Sequence, residues 1–236
     1  MKIKIIRKGL KTIWWKPELV DGAIFDDMDI PFCPTVASGV PAKIITYEEA
    51  KAIYRKEIKM NRQFKSDYYV CFYTDDYKFD TYKGIWFSPN KTLDILKHFK
   101  GVITPDFSTY LDFPFSLKLW NTYRMRAFGY WCGKNGLEVI NNVRGSVCDV
   151  SYCFRGIPIN SIVAIGTVGS GLKHLENRDQ FNSWLEEMVK ALKPKIILVY
   201  GSSNYLSFTK LKEQGVKVVQ FDSKTSQDFK KRRKIL

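Results

Sequence analysis

"KIILVYGSSN", residues 195–204, decides the fold. Ile196 to Tyr200 run without a polar interruption, between Lys195 and Gly201. A strand with one wet face alternates apolar and polar residues. An unbroken apolar run is covered on both faces, as in a parallel sheet packed under helices. "SIVAIGT" (161–167) repeats the pattern upstream. Between the two lies "NRDQFNSWLEEMVKAL" (177–192), a helix capped by Asn177, with Phe181, Trp184, Leu185, Met188 and Leu192 on its inner face. "YLSFTKLKEQG" and "VKVVQFD" continue as helix and strand.

The alternation extends toward the N-terminus. "KIIT" is a short strand, and Thr46 with Glu49 three residues on forms a capping box that starts a helix. "DYYVCFYTDD" is a strand rich in aromatic and β-branched residues. "SPNKTLDILKHF" is a helix opened by a cap and a Pro, and "KGVITPD" is a strand. "FPFSLKLWNTYRMRAFGYWCGKNG" is a long helix closed by Gly133 or Gly136, its inner face covered by Leu117, Trp120, Ala127, Tyr130 and Trp131. "LEVINNV" is a strand and "DVSYCFRG" one or two helical turns.

About six strand–helix units therefore predict an α/β fold with a parallel sheet, either an incomplete (β/α) barrel or an open doubly wound sheet. Residues 1–42 read as an irregular N-terminal extension in which "KIKII" is an edge-strand candidate, 43–223 as the α/β domain, and 224–236 as a basic flexible tail.

The chain has 236 residues and a net charge of +14, from 38 Lys and Arg against 24 Asp and Glu. Such a surplus favours polyanionic partners, because each contacted phosphate releases counterions. Lys51, Arg55, Lys59 and Arg62 stripe one helix face, and Lys230, Lys231, Arg232 and Arg233 crowd the tail. Both are candidate nucleic-acid contacts, although a charged stripe is also an ordinary solvated face. No apolar run is long enough to span a bilayer, and the basic start lacks the unbroken apolar region of a signal peptide. The scattered Cys33, Cys71, Cys132, Cys148 and Cys153 fit reduced cytosolic thiols. With only His98 and His174 available, no zinc set is complete.

In parallel α/β folds, ligands bind beyond the carboxyl ends of the strands. Those ends carry Asp75 and Asp76, then Asp106, Ser108, Tyr110 and Asp112, then Arg144 with Asn141 and Asn142 just before it, of which Asn141 is the ligand-binding candidate. Further along come Thr167, Gly169 and Ser170 in "TVGSG", and Gly201, Ser202 and Ser203 in "GSSN". The two Gly/Ser loops suit an approach of backbone N–H groups to a phosphate, or merely a tight turn. Asp106, Asp112 and Arg144 are the catalytic candidates, although Asp112 also suits a helix cap. Paired carboxylates at strand ends could hold a divalent metal, but no nuclease cluster or histidine motif accompanies them. Arg124 lies at the border of the long helix's inner face, within reach of the rim.

The stretches "GVITPDFSTYLDFPFSLKLWNTYRMRAFGYW", "VINNVRG", "CFRGIPINSIVAIGTVGS" and "ILVYGS" resemble the domain-of-unknown-function family numbered 4417, over about residues 68–222. That resemblance implies a protein of bacterial phages or other mobile elements, acting in the cytoplasm of the host cell. It brings no activity, cofactor or catalytic residue. The family's usual Asp is Arg155 here, in "CFRGIP". Three functions follow as expectations: binding or processing nucleic acid, action on a small phosphorylated ligand such as a nucleotide, and inhibition of a host protein through exposed aromatics such as Trp14 and Trp15.

Overall fold

The computed structural model describes residues 14–60, 62–145, 150–172 and 174–233. The strands are β1 (Ile44–Thr46), β2 (Ser66–Cys71), β3 (Phe99–Ile103), β4 (Glu138–Asn142), β5 (Ile162–Gly166), β6 (Ile196–Tyr200) and β7 (Lys217–Phe221). The helices are α1 (Tyr47–Lys59), α2 (Pro89–Leu96), α3 (Phe115–Lys134), α4 (Leu175–Leu192), α5 (Leu206–Glu213) and α6 (Lys224–Arg233). All strand pairs are parallel and the spatial order is the chain order, β1 to β7. This settles the choice between a barrel and a doubly wound sheet. A doubly wound sheet reverses direction at a switch point, whereas right-handed crossovers that step one way keep the helices on one face. The sheet curls into a half-barrel.

Strand parity sorts the core. Ile45, Val70, Val102 and Val139 face outward beneath α1–α3, and Val163, Ile197 and Val199 pack with α4 and α5. Ile44, Tyr69, Ile103, Ile140, Ala164 and Leu198 line the concave face. Tyr69 needs Gly101 beside it, since a Cβ there would lie 2.5 Å from its ring. Across the concavity Tyr73 stacks on Tyr200, with centroids 5.2 Å apart.

The Thr46–Glu49 capping box forms as expected: Glu49 N–H donates to Thr46 Oγ1, and Thr46 N–H donates to the Glu49 carboxylate. Other expectations need correction. Helix α4 starts at Leu175 with His174 as N-cap, and Asn177 lies inside its first turn, its amide donating to the Gly171 carbonyl. Residues 151–156 are turns, not a helix. On α3, Leu117 is exposed and Tyr130 reaches outward to the Asp21 carbonyl, while Met125, Phe128 and Cys132 carry the packing instead. Tail residues Lys224–Arg233 form α6, because Lys224 is tied to Asp228 within the helix and to Glu49 of α1. The "KIKII" stretch, Cys148 and residues 234–236 lie outside the described residues.

The segment before β1 is irregular but built into the fold. Leu19 and Cys33 are completely buried in the outer core. Asn141 donates to the Cys33 carbonyl and to Thr35 Oγ1, and Val36 N–H donates to the Val139 carbonyl. These residues thereby occupy hydrogen-bonding positions of β4 below the point where β5 begins to pair with it. Arg155 pairs with Asp26 and Asp27, clamping the same segment.

Candidate functional site

The carboxyl ends of the strands open onto two adjoining cavities of about 370 and 360 Å³. Asp106, Tyr110, Arg144, Val168 and Gly169 line both. The cavities are therefore lobes of one cleft, with Asp106 and Arg144 at their junction.

Asp106 follows β3 and is 9 % exposed. Arg144 Nη1 donates to one of its carboxylate oxygens and Asn142 Nδ2 to the other at 2.7 Å. Tyr73 donates its hydroxyl to Asn142 Oδ1 at 2.9 Å, which fixes that amide for Asp106. Burial is the larger influence on Asp106 and raises its carboxyl above the ordinary range, against the opposing pull of Arg144 and Asn142. The Asp106 charge in turn raises the Arg144 guanidinium further. Arg144 lies 5.8 Å from the Tyr110 ring centroid, over its face. Arg126, on α3, supports the arrangement from below. It is wholly buried, pairs with no carboxylate among the described residues, and donates to the carbonyls of Asn142, Cys153 and Arg155. Burial pulls it down to about 10, so it stays charged at neutral pH.

The other expected residues divide. Asp76 lines the second lobe and accepts from the Ser108 N–H and hydroxyl at 3.1 and 3.0 Å, shaping the loop after Asp106. Gly169 and Ser170 line the cleft. Thr167, Gly201, Ser202 and Ser203 do not line it. Thr167 Oγ1 donates to the Ser202 carbonyl, and Ser203 N–H and hydroxyl both donate to Gln220. Gly201 is there because its φ of +119° and the 2.4 Å approach of Thr167 Oγ1 exclude a side chain. The "GSSN" loop is thus a turn folded onto β7, with the Ser203 donors held by Gln220. Asp112 is exposed outside both lobes and caps nothing, since Pro114 is the N-cap of α3. Asn141 faces outward to the N-terminal segment. Arg124 is occupied by Asp80 at 2.8 Å and packs over Phe107.

Sequence reading missed Tyr73, Thr109 and Trp184, and it chose Asn141 over Asn142 as the ligand-binding candidate. Parity was the available signal for Asn142: once Val139 faces outward, Asn141 must follow it and Asn142 must face the concave side. Trp184 was read only as core, yet it also walls the first lobe. No group of three or more His, Cys, Asp or Glu side chains is placed to hold a metal among the described residues. Cys33, Cys71 and Cys132 are buried free thiols, and Cys153 is buried. No described helix is long and apolar enough to cross a membrane.

The basic candidates lie outside the cleft but near it. α1 and α6 both begin at the rim, and Thr46, Glu48, Lys224 and Thr225 at their starts line the second lobe. Lys224 joins the two helices through Glu49 at 3.6 Å. On α1, Lys51 sits over the Tyr47 ring, Arg55 and Lys59 are exposed, and Arg62 beyond it pairs weakly with Glu57 at 4.0 Å. On α6, Lys230 pairs with Asp222, while Arg232 is exposed and Arg233 lies over Phe229. Nothing is described of the Lys231 side chain.

Residues 27–222 match the family described as "Domain of unknown function (DUF4417)". The chain is 36% identical over 131 residues to the "Gene 1 protein" of Mycobacterium phage L5, covering 55% of this chain and 56% of that one. It is 32% identical over 143 residues to the "Gene 1 protein" of Mycobacterium phage D29, covering 60% and 52%. The chain spans about half the length of the curated relatives it matches. No solved structure matches it. The family match starts at residue 27 rather than near 68, and so takes in the segment wedged beside β4. With its half-barrel and its Asp106–Arg144 junction inside the matched span, the chain belongs to the DUF4417 family.

Proposed function

We propose that this protein binds or processes nucleic acid, engaging the strand with its basic helices and one nucleotide unit with the strand-end cleft. The observation that carries the reading is the cleft itself: two lobes meet at a buried carboxylate paired with a half-buried guanidinium, beside the starts of α1 and α6. A net charge of +14 supplies the attraction to a polyanion. The phage relatives set a context in which nucleic acid is at hand.

Fluorescence anisotropy with labelled single- and double-stranded DNA and RNA, over a range of salt, tests this. Affinity is expected to fall linearly on a log–log scale with salt. A variant carrying Lys51→Gln, Arg55→Gln and Lys59→Gln is expected to flatten the slope by about one for each phosphate it no longer neutralises. Absence of binding to every nucleic acid at low salt would sink the reading.

A further inference from the structure

The two lobes differ in chemistry. The first is walled by Val143, Ile165, Phe181 and Trp184, with the Tyr110 ring at its mouth. Two of its lining residues carry buried polar atoms without a partner among the described residues, Thr109 Oγ1 and Trp184 Nε1. Both residues are at least nine-tenths buried, with Thr109 4% and Trp184 5% exposed. Buried donors left unmet are rare, and because both are closed to solvent, the wall of the lobe must give slightly for a ligand to meet them. Flat apolar walls with hydrogen-bonding groups set into them suit a heteroaromatic ring that carries ring nitrogens or carbonyls.

The second lobe is lined by the carboxylates Glu48, Asp75, Asp76 and Asp106. Its cations are already engaged. Lys78 lies 3.5 Å from both Glu48 and Asp75, Lys224 is tied to Glu49 and Asp228, and Arg144 to Asp106. Four carboxylates against three cations, Lys78, Arg144 and Lys224, leave the lining net negative, which disfavours a phosphate there. Sugar hydroxyls are the opposite case, because they donate to carboxylates. Each lobe stands near the lower end of ligand-pocket volumes, about 300–1,000 Å³, which suits one ring system apiece.

Resting on the reading of the cleft as the functional site, we propose that it takes a single nucleoside unit. The base enters the aromatic lobe, the sugar enters the carboxylate lobe, and the phosphates stay outside. Asp106 and Arg144 then flank the bond that joins base to sugar. The unit is either a free nucleoside or a base turned out of a strand, the latter at the usual cost of unstacking.

Titration calorimetry on the full chain tests the assignment. The probes are the common ribo- and deoxyribonucleosides, ribose 5-phosphate, pyrophosphate, and short single-stranded oligonucleotides. Val168→Trp fills the mouth shared by both lobes at a position already 44% exposed, so the fold is spared. Trp184→Phe keeps a ring but removes the indole N–H. Circular dichroism and melting confirm that both variants fold. The expected result is nucleoside binding that Val168→Trp abolishes and Trp184→Phe weakens about tenfold, the worth of one buried hydrogen bond. Ribose 5-phosphate and pyrophosphate are expected not to bind. If free nucleosides fail but oligonucleotides bind, and Val168→Trp removes that binding, the source is a base within a strand and the assignment holds. Pyrophosphate or ribose 5-phosphate binding as tightly as a nucleoside overturns it, as does nucleoside binding indifferent to Val168→Trp. Oligonucleotide binding that Val168→Trp leaves unchanged, with no nucleoside bound, overturns the lobe assignment while the nucleic-acid reading stands. If nothing binds, both fall.

Discussion

Two Asp–Arg pairs lie one on each side of the loop after β3, and they do different work. Asp80 and Arg124 meet in a doubled 2.8 Å contact, and Arg124 also donates to Asn121 at 2.7 Å. Its guanidinium covers the Phe107 ring at 3.8 Å, and Asn121 holds the Ser108 carbonyl. Asp80, Arg124, Asn121 and Phe107 do not line the cleft. Asp106 and Arg144 have the same chemistry, yet both face the junction of the two lobes. One pair anchors the loop from behind, and the other is presented by it. The difference lies in solvent access: a side-chain exposure of 9% for Arg124 against 30% for Arg144. Ion pairing alone therefore does not set a residue at the cleft in this molecule.

Removing one partner of each pair separates the roles. Arg124→Ala leaves Asp80 unpaired in a mostly buried place, and is expected to cost about 3–5 kcal/mol in urea unfolding. A loss under about 1 kcal/mol would show that the first pair anchors nothing. Arg144→Gln is expected to cost less, about 1–2 kcal/mol, because water reaches that side chain. Unlike Arg124→Ala, it is expected to abolish ligand binding in a protein that still melts cooperatively. Equal stability losses with binding retained would erase the distinction.

The pH dependence of Asp106 gives a finer test. Its carboxyl is raised in the folded protein, so folding favours the protonated form. That contribution is fully present below the ordinary carboxylate value of about 3.9 and is lost as pH rises through the higher value of the buried group. The stability of the wild type relative to Asp106→Asn is therefore expected to increase on acidification through that window. Urea midpoints measured over a pH series check this. A difference that moves the other way would mean that pairing with Arg144 outweighs burial.

The legible parts of the fold were those with local causes. The capping box at Thr46 and Glu49 needs only four neighbouring residues, and it forms. The apolar runs "IILVY" and "SIVAI" must be covered on both faces wherever they go, and they become the paired strands β6 and β5. Asp106 and Arg144 were legible because a strand end fixes where a following polar residue emerges. Arg124, Asn141 and the "GSSN" loop are polar in the same way, but distant partners take them: Asp80, Cys33 and Gln220. No local pattern encodes those meetings. The basic tail likewise reads as unstructured until Glu49 is brought beside Lys224.

Residues close along the chain were enough to specify the alternation of strand and helix, the parallel sheet, the polar rim and the surplus of positive charge. Packing between distant segments settled the rest: that the winding never reverses, that Asn142 rather than Asn141 reaches the cleft, and that residues 17–38 are wedged against β4 and α3. Those outcomes depend on which face of a strand is covered and which far segment covers it. Only the closed packing of the whole chain fixes such choices.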